Sequence, residues 1–246
     1  MERASKVRVM TYCIGLQVDS GLVFLSDSRT NAGVDHINTF RKMTVLERPG
    51  DRIMVLLTSG NLAISQAVIN ELKPIENSLL VDAKNMVEAV RVVGDALRKV
   101  YSRDSEAFKE FGLDFAASFI FGGQIGYEPP RLFQIYAAGN FIETTRDTPY
   151  FQVGESKYGK PIIDRVVEPY TSLKDAAKCA LISMDSTIRS NLSVGMPLDL
   201  LVYETNSLCV KTHVSIGLDD PYYQQLRSSW GDRLRQAFND MPAPNY

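Results

Sequence analysis

Strand-like and helix-like runs follow one another in blocks along this chain, and their order is the strongest constraint on its fold. β-Branched and aliphatic runs open it at about residues 12–18 and 22–29. After a polar loop, TNAGVDHINTF, come two more such runs, KMTVLE and RIMVLLTS, separated by the turn RPGD. LAISQAVINELKPI and AKNMVEAVRVVGDALRKVYSRD then carry apolar residues at helical spacing. Strand patterns return in DFAASFIFGGQI, RLFQIYAAG and FIETTRDTPYFQVG, followed by helical stretches in SKYGKPIIDRVV and LKDAAKCALISMDSTIRS. DLLVYE and SLCVKTHVS read as strands, and a last helix is expected within PYYQQLRSSWGDRLRQAF. A parallel doubly wound sheet needs regular strand–helix alternation, which is absent. Two antiparallel sheets with helices stacked outside them satisfy the order, giving an α+β, four-layer α-β-β-α sandwich.

Composition narrows the function classes. With 246 residues, 45% of them hydrophobic, the chain can bury one large core, and no linker or repeat divides it. A formal net charge of −2 gives no electrostatic reason to bind nucleic acid or an anionic membrane. No apolar run is long enough to span a bilayer, and MERASKVRV lacks the apolar stretch of a secretory signal. Three widely spaced cysteines, Cys13, Cys179 and Cys209, form no CxxC and fit a reducing, cytoplasmic compartment. His36 and His213 are too few for most imidazole-based metal sites. No GxGxxG or Walker loop is present, and SGNLA is a weak phosphate-loop candidate.

The stretch VRVMTYCIGLQVDSGLVFLSDSRTNAG combines a hairpin with reactive side chains at one end. Taking Asp19-Ser20-Gly21 as a three-residue turn pairs Val18 with Leu22. That register sets Thr11 opposite Arg29 and Cys13 opposite Asp27, all on one face. A strand-end threonine is by itself ordinary. Met10 changes the argument: if translation starts there, methionine removal leaves Thr11 with a free α-amine. Such an amine has an unperturbed pKa of about 7.7–8.0 and can serve as general base near neutrality. One residue would then supply both nucleophile and base.

From Met10 through FRKM the chain resembles the opening of a proteasome β-type subunit. More specifically it is similar to the bacterial Anbu, or ancestral β-subunit, family. The resemblance implies the N-terminal nucleophile hydrolase fold over 11–246, threonine-dependent hydrolysis of peptides or unfolded protein, and self-assembly into closed rings or helical ring-like particles. It implies no cofactor and no metal, and leaves an unfoldase partner open. Thr11 matches the nucleophile, Asp27 in SDSR the acid that positions the catalytic lysine, Arg29 a basic residue two places on, and Lys42 in FRKM that lysine. A nearby ammonium disfavours protonation of the Thr11 amine and eases proton loss from its hydroxyl.

Two further segments match with departures. In VGESKYG, Ser156 is the candidate for a hydroxyl touching the threonine amine, with Glu155 competing for the place and helix capping an alternative role for Ser156. In RSNLSVG, Ser193 matches the serine of an Asp-x-x-Ser arrangement, while Ser190 stands where the aspartate falls. That departure weakens the network around the amine. A backbone oxyanion donor is expected near Leu57, in LLTSG. Residues 1–10 are expected to be a short propeptide or an over-extended start, since β precursors carry Gly before the threonine and this chain has Met10. Cys13 lacks the free amine that would make it a nucleophile, and Tyr222, Tyr223 and Trp230 suit either core or subunit contacts. Competing with the peptidase reading are a small-molecule amidase or acylase of the same fold, and a catalytically weak or inactive scaffold particle.

Overall fold

The computed structural model describes residues 11–31, 37–72 and 79–246. The expected leader, His36 and the KPI end of the first helical stretch lie outside them. In chain order the elements are β1 (Tyr12–Val18), β2 (Gly21–Asp27), β3 (Arg29–Asn31), β4 (Ile37–Thr39), β5 (Met43–Arg48), β6 (Arg52–Gly60), α1 (Leu62–Leu72), α2 (Leu79–Asp82) and α3 (Met86–Glu110). They continue with β7 (Ala117–Ile125), β8 (Arg131–Ile135), β9 (Phe141–Glu143), β10 (Tyr150–Gly154), α4 (Lys160–Val166), α5 (Leu173–Ser190), β11 (Leu198–Glu204), β12 (Thr212–Ile216) and α6 (Pro221–Asn239). One five-stranded antiparallel sheet runs β10-β1-β2-β11-β12 and another β5-β6-β7-β8-β9, with β3 and β4 as a small separate ladder.

Three buried clusters define four layers. Val68, Met86, Val90, Val93 and Leu97 of α1 and α3 pack on Met54, Leu56, Phe119 and Phe121 of the second sheet. Ala176, Ala180 and Met184 of α5 and Tyr223 of α6 pack on Tyr12, Ile14, Leu25 and Leu198 of the first. Between the sheets, Cys13, Phe24, Ile53, Val55, Leu57, Ile120 and Leu201 form a third core. Period-2 alternation sends odd and even residues of β1 and β6 to different cores, which is why both strands read as continuously apolar. The expected sandwich is the observed fold.

Three readings need correction. FIETTRDTPYFQVG is not one strand: β9 ends one sheet and β10 begins the edge of the other. The loop TNAGVDHINTF contains a short ladder, Arg29 opposite Thr39. The β1–β2 turn has two residues, Asp19-Ser20, so Val18 pairs with Gly21 and Cys13 with Ser26. The reason lies in Gly21: its φ is +148°, and a Cβ there would sit 2.0 Å from the Tyr203 carbonyl oxygen of β11. Glycine therefore serves as a ladder residue at a close approach of strands rather than as the turn. The shift by one residue sets Thr11 opposite Ser28 and aligns Asp27 with Tyr12, so the shared face expected for Thr11, Cys13, Asp27 and Arg29 is not formed by strand alternation. On α6, Tyr223 is buried in the core while Tyr222 is exposed.

Candidate active site

Asp27 ends β2 and is fully buried; Lys42, just before β5, is only 6% exposed. The chain brings them together where the two sheets meet at one end. Lys42 Nζ donates to Asp27 Oδ1 at 2.7 Å and to the Arg29 carbonyl at 2.7 Å. The same carboxylate accepts the Tyr12 backbone N–H at 3.1 Å and the Gly195 N–H at 3.3 Å. The β2–β11 ladder gives out here because Ser28 meets Pro197, whose carbonyl accepts both the Ser28 N–H and its Oγ but which has no N–H to return. A buried carboxylate with three donors around it, one of them an ammonium, meets the requirement that an ion leaving water be paired and hydrogen-bonded. Burial pushes the Asp27 carboxyl up from its ordinary value, with Lys42 and the two amides pulling the other way.

Thr11, 2% exposed, immediately precedes the residue whose N–H is held by Asp27. Its carbonyl accepts the Glu155 N–H at 2.8 Å, just past the end of β10. Gly154 makes that approach possible. Its φ is +86°, and a Cβ would lie 1.8 Å from the Thr11 carbonyl oxygen and 3.3 Å from Ser59 Oγ of β6. The residue standing directly against Thr11 is therefore Glu155. Ser156 is one place further along, its carbonyl accepting Lys160 N–H as the chain enters α4.

Arg29 lies close to the pair but serves another segment. Its Nη1 donates to the Leu192 carbonyl at 2.8 Å, and its guanidinium fills the space beside Gly195, where a Cβ would be 2.4 Å from Cζ. This clamps the loop after α5 so that Gly195 reaches Asp27. Ser193 belongs to that loop, its N–H bonded to Asn191 Oδ1 at 2.9 Å. Ser190 is exposed at the last turn of α5. Cys13 is fully buried, its thiol pushed up by burial and donating to the Thr58 carbonyl at 3.6 Å, a setting that disfavours a thiolate.

Ladder phase identifies a backbone donor. Thr58 N–H bonds the Lys42 carbonyl on the β5 side of β6, and Asn61 N–H bonds the Ala116 carbonyl on the β7 side. Leu57, in phase with Asn61, thus spends its N–H on β7. Gly60 presents its N–H on the β5 side, past Met43 where β5 begins, so the expectation of a donor near Leu57 moves to Gly60. The signal was the Ser59-Gly60 step at the strand's end.

The fold recurs in solved structures across nearly the whole chain. An Anbu variant from Hyphomicrobium sp. strain MC1 is 49% identical, covering 96% of this chain and 100% of its own, with a TM-score of 0.90. Anbu, the ancestral β-subunit, from Yersinia bercovieri is 48% identical over 95% of this chain and 99% of its own, with a TM-score of 0.88. This chain belongs to the Anbu family. A further Anbu structure, from Pseudomonas aeruginosa and described as a helical assembly, is 46% identical over 95% of this chain and 98% of its own, with a TM-score of 0.89. A scan of protein-family models and a comparison with curated proteins give no match. Among the described residues of this Anbu chain, no helix is long and apolar enough to cross a membrane, and no group of three or more His, Cys, Asp or Glu could hold a metal ion.

Proposed function

We propose that this Anbu protein is a proteasome-like threonine peptidase acting in a self-assembled particle. Thr11 Oγ1 attacks the substrate carbonyl carbon while the Thr11 α-amine takes its proton. The amine then passes that proton to the departing nitrogen, leaving an acyl ester on Thr11 that water hydrolyses. Lys42 disfavours the protonated amine and stabilises the ionising hydroxyl, and Asp27 keeps Lys42 in place. Gly60 N–H is the candidate donor to the developing oxyanion. The single observation carrying this reading is the buried Asp27–Lys42 pair, tied through Asp27 to the backbone N–H of Tyr12, the residue after Thr11. Assembly is supported by the helical particle described for the Pseudomonas aeruginosa relative.

The test uses protein whose first residue is verified as Thr11 by intact mass. It should hydrolyse fluorogenic peptides and be labelled at Thr11 by a peptide-like electrophile, and Thr11→Ala should lose at least ~10³-fold in rate. A Thr11→Ala variant with undiminished hydrolysis would refute the reading. Faster turnover of small amides than of peptides would favour an amidase. A second reading, a particle with little peptidase chemistry, is favoured by exposed Ser190 standing where the family pattern has an aspartate. Absence of both labelling and turnover in a correctly processed particle would select it.

A further inference from the structure

Glu155 is the one ionisable side chain directly across from Thr11 in the β1–β10 ladder, and the chemistry above assigns it no part. Its N–H donates to the Thr11 carbonyl at 2.8 Å. Its side chain is only 15% exposed, and the Oε2 atom is buried with no hydrogen-bond partner. Among the described residues the cation paired with it is Lys157, whose Nζ lies 3.6 Å from Oε2, beyond hydrogen-bond range, and which is itself 67% exposed. A pair of that length with one partner in water is worth little. A carboxylate oxygen shielded from water and left without a donor is costly unless a donor arrives. Processing would create a new donor on the facing residue, the α-ammonium of Thr11.

We propose that Glu155 is the counter-ion of the Thr11 α-ammonium, holding the amine in its protonated, inactive form at neutral pH and releasing it as base at alkaline pH. This rests on the reading of Thr11 as a processed N-terminal residue. Charged groups stand on both flanks of Thr11, in two sets. On the β2 and β5 side stand Asp27 and Lys42, already paired with each other, with Arg29 committed to the loop after α5. On the turn after β10 stand Glu155 and, beyond it, Lys157. Lys42 disfavours the ammonium and Glu155 favours it, so the midpoint of the amine reflects their contest. An opposite charge within a few ångströms raises an amine midpoint by about one pH unit or more.

The experiment titrates the α-amine itself, so that it does not depend on turnover. Protein verified to begin at Thr11 is exposed to limiting acetic anhydride across pH, and acetylation of the Thr11 nitrogen is followed by peptide mass spectrometry. In wild-type protein the midpoint should lie above the ordinary range of about 7.7–8.0. In Glu155→Gln it should fall by about one unit, with up to ~10-fold more free amine at neutral pH, and Glu155→Ser should shift it the same way. A wild-type midpoint within or below the ordinary range, or one unmoved in both variants, overturns the proposal. An expected shift without electrophile labelling of the Thr11 hydroxyl would leave the counter-ion standing and defeat the peptidase reading instead. Where hydrolysis is measurable, its alkaline rise should move with the amine midpoint, which a purely structural role for Glu155 would not produce.

Discussion

At the scale of single residues, the molecule spends its most demanding contact on Asp27 and Lys42. Neither ion is solvated, so each depends on the other. Lys42→Ala should destabilise the fold by ~3–5 kcal/mol in denaturant unfolding, because it strands a buried carboxylate; adding Asp27→Asn should recover part of that loss but none of the activity. The pH dependence follows from the direction of the Asp27 shift. Its carboxylate must be ionised to hold Lys42, and burial moves its protonation upward. Peptide hydrolysis, already declining with the free Thr11 amine, should therefore fall more steeply once the pH drops to a second midpoint above about 3.9, the value for an ordinary aspartate. A second midpoint at or below that value would contradict the role given to Asp27. Both residues were legible through the family resemblance, as was Arg29. The place of Glu155 was not, because which residue of VGESKYG meets Thr11 depends on where β10 ends and on the positive φ of Gly154.

At the scale of elements, β1 is the scaffold of the site: β10 on one side brings Glu155, β2 on the other brings Asp27. Gly154 is the tightest joint in that arrangement. Gly154→Ala must both adopt an unfavourable φ and push a methyl group into the Thr11 carbonyl, so it should cost ~1–3 kcal/mol and suppress hydrolysis. Thermal melts and peptide assays read the two effects. On the far side of the same sheet, buried Asp185 of α5 accepts from Arg189 Nε at 3.2 Å and from Arg227 Nε of α6 at 2.6 Å. Asp185→Ala should loosen α6 at a cost of ~1–2 kcal/mol, less than a fully buried pair because both arginines retain access to water. α5 was readable to the residue, with Ser172 capping its N-terminus by accepting Asp175 N–H. The β9–β10 division was not, since both halves carry strand-forming residues and only sheet membership separates them.

At the scale of the whole molecule, two sheets sandwiched between helices leave, among the described residues, open edges at β10 and β12 in one sheet and at β5 and β9 in the other. β12 is exposed along most of its length. Unpaired edges invite pairing or cover, which the proposed particle would supply. Sedimentation velocity should show a multi-subunit species as the main form at micromolar concentration; monomers alone would refute assembly.

Read by itself, the chain's block order of strands and helices pointed to the four-layer fold, because each periodicity must bury its apolar side and this stacking buries all of them. Thr11, Asp27 and Arg29 stood out in the opening hairpin, whereas Lys42 was legible only through the family resemblance. Tertiary structure alone decided the two-residue turn, the approach of Gly195 to Asp27 and the facing of Glu155 to Thr11. These depend on backbone approaches at Gly21, Gly154 and Gly195, where the absence of a side chain lets distant segments come within hydrogen-bond reach, and no local pattern says which segment will arrive.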